Sequence, residues 1–287
     1  MLWENIFSHE FPEKVAESNG VCLLPVGAME ARGPHLSVGS DVLTVLARCE
    51  KAAEMEPCVV FPPLYFGEAS GGDIAPGTIC YSDELIFDVL EQSCYEAYRN
   101  GFTKIYLVSG TAENDQLLQN FCRMMLQKNL PFVILTAGGA VPGKNLGYII
   151  EHREEFPWLT DEDIAVIQSY RSAKKKDRQG GFYKTGIAWG ANSACVRPEK
   201  FDTVNPGESA VLPDFPAGLY APFVRFAKRP DFASFDKHAG LNERIAKAFF
   251  LYSCSLLAEN VKFLKEDTTI LEYNREWLAK QKAMPQR

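Results

Sequence analysis

The sequence predicts an α/β fold in which a mainly parallel sheet is flanked by helices. In the N-terminal half of the chain, short segments rich in Val, Ile and Leu alternate with longer segments of helical periodicity. Helices of roughly a dozen residues or more between strands indicate crossover connections, which join parallel strands. Strands that are apolar at nearly every position are typical of a sheet covered on both faces.

Each predicted strand is a short apolar segment. Pro62 and Pro63 end the second strand, because proline cannot donate a ladder hydrogen bond. The predicted strands are residues 21–26, 59–61, 105–108 and 132–135.

The helices between these strands have apolar residues at helical spacing. The clearest begins at Ser82, whose hydroxyl suits an N-cap, and stops at Asn100, which a glycine follows. The predicted helices are residues 41–55, 82–100, 114–127 and 241–263. Residues 136–160 and 203–240 are rich in Gly, Pro and aromatic residues and are predicted as loops, either surface decoration or a lid or subunit contact.

The composition restricts the class of protein. A chain of 287 residues and 32.1 kDa can bury a core without disulfide or metal cross-links. Its formal net charge of −7 argues against nucleic-acid binding, which depends on clustered basic residues. Eight cysteines without CxxC spacing, no signal-peptide pattern and no membrane-length apolar segment predict a cytoplasmic protein that binds neither nucleic acid nor membrane.

Ionisable residues are concentrated in the loop after the first predicted strand. Residues 25–41 contain Glu30, Arg32, His35 and Asp41, and three glycines fix the course of the backbone. Converging ionisable groups at a strand end are typical of a functional cleft, although salt bridges that pin a loop would give the same pattern.

A further carboxylate, Glu113, follows the third predicted strand at the start of the next helix. Taken alone, it fits a helix-dipole partner. Because the carboxyl ends of parallel strands meet at one sheet edge, we expect Glu113 to lie near Glu30 and Asp41. Three converging carboxylates must be neutralised by a metal, a proton or basic side chains.

The order of these residues resembles that of the creatininase (creatinine amidohydrolase) family. Residues 25–41 follow its first motif, Pro-Val-Gly-Ser-x-Glu-x-His-Gly-Pro-His-Leu-Pro-x-x-x-Asp, and residues 76–79 are its Pro-Gly-Thr-Ile motif. Residues 109–114 match Asn-Gly-His-x-x-Asn, and residues 184–191 match a His-Ala-Gly-x-x-Glu-Thr-Ser block by spacing alone. The resemblance covers roughly residues 15–205 and is strongest in the first half.

The resemblance implies a single three-layer domain over residues 1–287, with a loop-rich insertion at 206–240 and a C-terminal helix. It implies a homo-oligomer, often a hexamer, and a small-molecule substrate opened by water that two divalent ions activate. By position in the motifs, Glu30 matches a ligand of the first metal, Asp41 the bridging carboxylate and Glu113 a ligand of the second metal.

Both imidazole ligands of the family motifs are replaced in this chain. Arg32 and Thr111 stand where the motifs have the metal-binding histidines, Lys184 stands at the catalytic-region histidine, and Trp189 stands at the glutamate. Arginine stays protonated and cannot ligate a metal, so a two-metal site is not expected. In one remaining hypothesis, the carboxylates and waters hold a single Mg²⁺, Mn²⁺ or Zn²⁺. In the other, Arg32 and Lys184 replace the metals as neutralising charges.

The candidate catalytic residues are Lys184, Arg32, His35 and Glu113. Lys184 fits a base, a Schiff-base amine or an electrostatic clamp on an oxyanion, and equally an ordinary surface lysine. His35 is predicted to support the site by hydrogen bonding, and direct acid–base catalysis is the alternative. His238 begins a second His-Ala-Gly, and its place just before the last helix argues for a coincidence. The alternative is that His238, like Trp189, folds back over the site.

The sequence therefore predicts a hydrolase that opens a small polar cyclic metabolite. The loss of the imidazoles indicates a substrate other than creatinine. A chemical alternative is C–C hydrolysis of a cyclic diketone of the dehydro-inosose type, met in inositol breakdown. A diketone is cleaved with an enolate as the leaving group, and this reaction needs less stabilisation by a metal than cleavage of an amide does. A different class of function is a non-catalytic ligand-binding or assembly protein that kept the fold.

Overall fold

A parallel sheet of four strands lies at the centre of the structure, a computed structural model that describes residues 1–70, 72–137, 142–172, 180–203 and 238–284. The strands are β1 (Val21–Val26), β2 (Val59–Val60), β3 (Lys104–Ser109) and β4 (Val133–Thr136). Their order is β2-β1-β3-β4, and each neighbouring pair is parallel. The predicted fold class is confirmed.

Helices cover both faces of this sheet. The helices of the N-terminal half are α1 (Phe11–Glu17), α2 (Ser40–Met55), α3 (Asp83–Arg99) and α4 (Ala112–Met125). Ser82 caps α3 as predicted, since its hydroxyl accepts a hydrogen bond from the amide of Leu85. Alternate residues of β1 point to opposite faces. Leu24 and Val26 pack against α3 and α4, whereas Leu23 packs against α2 and the long C-terminal helix.

The C-terminal half adds helices that build a third apolar cluster. They are α5 (Pro142–Glu151), α6 (Asp161–Ser172), α7 (Phe182–Ala191), α8 (Glu243–Glu266) and α9 (Thr269–Ala283). Helix α5 lies in a region predicted as a loop. Two glycines weaken its helical signal, and it is stabilised instead by burial of Leu146 and Ile149 against Phe249 of α8. The predicted last helix begins two residues later than expected, with Asn242 as its cap.

Most of the predicted loop at 203–240 lies outside the described residues. In the part of the chain that the structure describes, no helix is long and apolar enough to cross a membrane.

The register of the sheet determines where the candidate site lies. Strands β1 and β3 are paired from Val21 opposite Lys104 to Val26 opposite Ser109, so both strands end at the same level. The loops that follow them leave the sheet side by side. These are the two loops that carry the predicted site residues.

Candidate functional site

Close packing at the end of β1 brings the two loops together. A Cβ atom on Gly27 would lie 2.3 Å from the Cα of Val42, so only glycine lets α2 begin this close to the strand end. Asp41 consequently stands in the first turn of α2, directly above the sheet edge. Glu113 occupies the first turn of α4, whose N-cap is Thr111.

Asn114 locks the loop after β1 to the neighbouring loop and to α4. Its fully buried amide group donates hydrogen bonds to the carbonyls of Val26 (3.0 Å) and Gly27 (2.9 Å). Its side-chain oxygen accepts a hydrogen bond from the amide of Glu68 at 2.7 Å. Asn114 belongs to a family motif, but the sequence does not indicate that it holds the site together.

The guanidinium group of Arg32 lies at the centre of the site. Its Nη2 atom is 2.7 Å from Oε2 of Glu30, 2.9 Å from Oδ2 of Asp41 and 3.3 Å from Oε2 of Glu113. Its Nε atom donates a hydrogen bond to Oδ2 of Asp41 at 2.9 Å. The side chains of Arg32, Glu30 and Asp41 are almost completely buried. The structure therefore brings the three predicted carboxylates together around one cation.

Lys184 extends this arrangement toward solvent. Its Nζ atom is 2.9 Å from Oδ1 of Asp41, so the two oxygens of Asp41 contact different cations. The side chain of Lys184 is 25% exposed and that of Glu113 is 20% exposed, compared with 1% for Arg32. The four residues form a chain of ion pairs in the order Lys184, Asp41, Arg32, Glu113, and only its two ends are accessible.

The three surrounding carboxylates keep Arg32 positively charged. Burial lowers its pKa, but the charges of Asp41, Glu113 and Glu30 outweigh burial and raise the pKa of Arg32 above its ordinary value. The guanidinium therefore stays protonated and cannot become a metal ligand.

A metal ion held by the same three carboxylates does not fit together with Arg32. The three nearest oxygens face one guanidinium nitrogen, and an ion bound by those oxygens would have to take the place of that nitrogen. In the described residues, a group of His, Asp and Glu donors close enough to share an ion lies elsewhere, at the surface, and consists of His152, Glu154 and Glu155. Exposed acidic groups of this kind are common without an ion.

His35 takes no part in the carboxylate cluster and forms a second buried polar cluster. Its Nε2 atom lies 3.0 Å from both the carbonyl oxygen of Gly180 and the hydroxyl of Thr185. The ring of His238 is 4.4 Å from that of His35, and its Nε2 atom contacts the same carbonyl at 2.8 Å. His238 therefore packs beside His35 in this second cluster, and no contact with the three carboxylates is among those described.

Thr111 and Trp189, which replace family residues, have structural contacts. The hydroxyl of Thr111 accepts a hydrogen bond from the amide of Asn114 at 3.0 Å and so caps α4. The ring of Trp189 packs edge-on against Phe201 at 5.7 Å between centroids.

Stability is expected to fall at acidic pH because of His35. Burial, together with the neighbouring His238, lowers the pKa of His35 from 6.5 to about 4, and the hydrogen bond to Gly180 offsets only part of this. The unfolded chain then binds the proton at a higher pH than the folded chain does. The stability that depends on neutral His35 is therefore fully present above pH 6.5. As the pH falls toward 4, the free energy of unfolding decreases by about 3 kcal/mol.

Urea unfolding between pH 7 and pH 4 measures this loss, with His35→Gln as the comparison. The wild-type free energy of unfolding should fall by about 3 kcal/mol more than that of the variant over this range. Parallel pH profiles for the two proteins would contradict the assignment to His35.

Comparisons with known proteins give matches to a family, to a curated relative and to solved structures. The family model described as creatininase, creatinine amidohydrolase, matches residues 4–220. The creatinine amidohydrolase of Pseudomonas putida is 31% identical over 114 residues, which are 38% of this chain and 44% of that relative. The chain therefore aligns with less than half the length of this curated relative.

The similarity to solved structures extends over nearly the whole chain. A crystal structure of creatinine amidohydrolase (creatininase) has a TM-score of 0.70 at 20% identity, covering 93% of this chain and 98% of that one. A structure described as creatininase Mn also has a TM-score of 0.70, at 19% identity, with 93% and 99% of the chains covered. At these identities the structures establish a shared fold.

Proposed function

The chain belongs to the creatininase family, and from this premise we propose that it is a hydrolase that opens a small polar cyclic carbonyl compound without a metal ion. The members of the family are hydrolases. The substrate class and the independence from metal are the new elements of the proposal, and both follow from the cations that surround Asp41.

The observation that carries the proposal is the position of Arg32 among Glu30, Asp41 and Glu113. Buried carboxylates need a neutralising charge, and a guanidinium supplies one permanently. Lys184 adds a second charge on the other oxygen of Asp41. Two cationic side chains thus stand at the carboxylates that match the metal ligands of the family motifs, and we take them as replacements for the two ions.

The accessible ends of the ion-pair chain supply the reactive groups. Glu113 acts as the general base that takes a proton from water as the water oxygen bonds to a ring carbonyl carbon. Lys184 donates a hydrogen bond to the oxyanion that forms. When the adduct collapses, the ring bond breaks and its electron pair leaves with the departing atom, which receives the proton held by Glu113.

A cyclic 1,3-diketone suits these groups better than a cyclic amide. The departing carbon of a diketone carries its electron pair as an enolate, which the second carbonyl stabilises, so the reaction needs less electrostatic help than expulsion of an amine. A lysine and a carboxylate supply that help without a Lewis acid. We therefore assign C–C hydrolysis of a small polar diketone as the preferred reaction.

Metal analysis and a substrate screen test this function together. Protein purified without chelator or affinity tag should contain far less than one divalent ion per chain, by plasma mass spectrometry. In the presence of chelator it should hydrolyse a member of a panel of cyclic diketones and cyclic amides. Lys184→Met should lower kcat by about 10² to 10³-fold, as expected for loss of an oxyanion donor.

Lys51→Met is the matched control for that variant. Lys51 is a surface lysine of α2 that pairs with Glu54, and its loss should leave turnover unchanged. A stoichiometric metal that disappears in both Glu30→Gln and Asp41→Asn would overturn the proposal and establish the single-metal hypothesis instead.

The burial of the centre favours a second candidate, a ligand-binding protein without catalysis. Arg32 is almost inaccessible, and both oxygens of Asp41 contact cations. A centre in which opposite charges satisfy one another can be purely structural. Saturable binding of a panel compound without turnover, unchanged in Lys184→Met, would support this candidate against the hydrolase.

A further inference from the structure

The carbonyl oxygen of Gly180 is held by three side chains from different parts of the chain. The Nε2 atoms of His35 and His238 lie 3.0 Å and 2.8 Å from it, and the hydroxyl of Thr185 donates to it at 2.9 Å. These side chains are buried, and the ring of Phe201 lies 5.9 Å from His35 and 4.9 Å from His238. Three donors on one oxygen fix its position closely.

Gly180 lies between the two segments that carry the cations of the site. A Cβ atom on Gly180 would lie 2.3 Å from the carbonyl oxygen of Arg32, and its φ of +68° is in the left-handed region that favours glycine. On its other side the chain enters α7, where the amide of Thr185 donates to the carbonyl of Gly181 at 2.8 Å. Lys184 is in this first turn.

We propose that His35 and His238 are positioning residues that fix the start of α7 on the Arg32 loop and so hold the amine of Lys184 against Asp41. Each imidazole donates one N–H to the Gly180 carbonyl. The inference rests on the proposed function for its catalytic consequence, because Lys184 is there the group that contacts substrate. The geometric claim itself does not require turnover.

Neutral imidazoles suit this role because each presents a single directed donor. Burial favours the uncharged form of His35 and lowers its pKa, and the neighbouring His238 lowers that pKa further. Lys184, although adjacent to Thr185, directs its amine to Asp41 at 2.9 Å rather than to the histidines. The two buried clusters are therefore linked through the backbone of α7 rather than through a shared proton.

Competitive acetylation of lysines, followed by peptide mass spectrometry, tests the proposal at pH 8 in the full chain. Glutamine can bring an amide donor to the position of Nε2, whereas asparagine is too short to reach it. His238→Asn should therefore increase the labelling rate of Lys184 about fivefold, the population change expected from losing one hydrogen bond. His238→Gln should keep the wild-type rate.

Internal and external controls separate positioning from loss of structure. Lys265 of the same molecule, which pairs with Glu56, should label equally in all variants. Replacing the exposed His9 by asparagine should change nothing. Rates that rise at every lysine, or a Lys184 rate in His238→Asn equal to that of the wild type, would overturn the proposal.

The labelling result is independent of whether a substrate is found. If labelling responds as expected and no panel compound is hydrolysed, the proposed function fails and the positioning role stands. If the wild type hydrolyses a panel compound and the labelling of Lys184 is unaltered in His238→Asn, the positioning role fails and the proposed function stands.

Discussion

Replacing Arg32 by methionine should remove a large part of the free energy of unfolding at neutral pH. The substitution leaves Glu30 and Asp41 buried and Glu113 beside them, and among the described residues Lys184 is the cation that still contacts the group. Removal of one partner from a buried ion pair typically costs about 3–5 kcal/mol, because an uncompensated charge stays in a region of low polarity. Domains have stabilities of about 5–15 kcal/mol, so the loss is a large part of the total.

Circular dichroism during urea unfolding at pH 7 and pH 5 measures this effect. The difference in stability between the variant and the wild type should be smaller at pH 5 than at pH 7, since protonation of the carboxylates removes the repulsion, whereas the loss caused by His35 is common to both proteins. The double substitution Arg32→Met with Glu30→Gln should be more stable than Arg32→Met alone, because it deletes one of the uncompensated charges. Methionine at residue 32 with wild-type stability would mean that the carboxylates have another source of compensation.

The sheet and the convergence of the site loops could be predicted from local sequence patterns. Four apolar segments separated by helical periodicity specify a parallel sheet, and parallel strands end at one edge. Helices α5 to α7 could not be predicted in the same way. Their apolar faces are completed by α8, more than fifty residues later in the chain, so the decisive contacts are invisible in a short window.

The sequence predicts which charged residues lie together in the candidate site, but it does not predict which of their atoms contact one another. The motif pattern indicates that Glu30, Arg32, Asp41 and Glu113 lie together. It does not indicate that one nitrogen of Arg32 faces all three carboxylates, because that depends on the close approach of α2 permitted by Gly27. The contact between His238 and Thr185, 53 residues apart, has no sequence signal at all.

If Arg32 replaced a metal, restoring the imidazoles should restore metal binding. The variant Arg32→His with Thr111→His places histidines at the two positions where the family motifs have them, and it keeps all three carboxylates. The loss of the guanidinium charge removes the repulsion of a divalent ion and opens the place that Nη2 occupies. Carboxylate and imidazole together suit Mn²⁺ and Zn²⁺.

The double-histidine variant should be unstable without metal and recover when metal is added. Its apo form lacks the central cation. It also lacks the Thr111 cap of α4, and loss of this cap lowers the free energy of unfolding by about 1 kcal/mol. Binding at a concentration one hundred times the Kd contributes about 2.7 kcal/mol, so the melting temperature should rise with Mn²⁺ or Zn²⁺ and fall with chelator.

The wild type and Arg32→His with Thr111→Ala are the controls for this gain of metal binding. The wild type should show no metal-dependent shift, and the single-histidine control should show a smaller one because it offers one imidazole fewer. The same double variant carrying Asp41→Asn should lose the response, since Asp41 lies between the two cations. A double-histidine variant that folds but never responds to metal would show that Lys184, still paired with Asp41, suffices to exclude the ion.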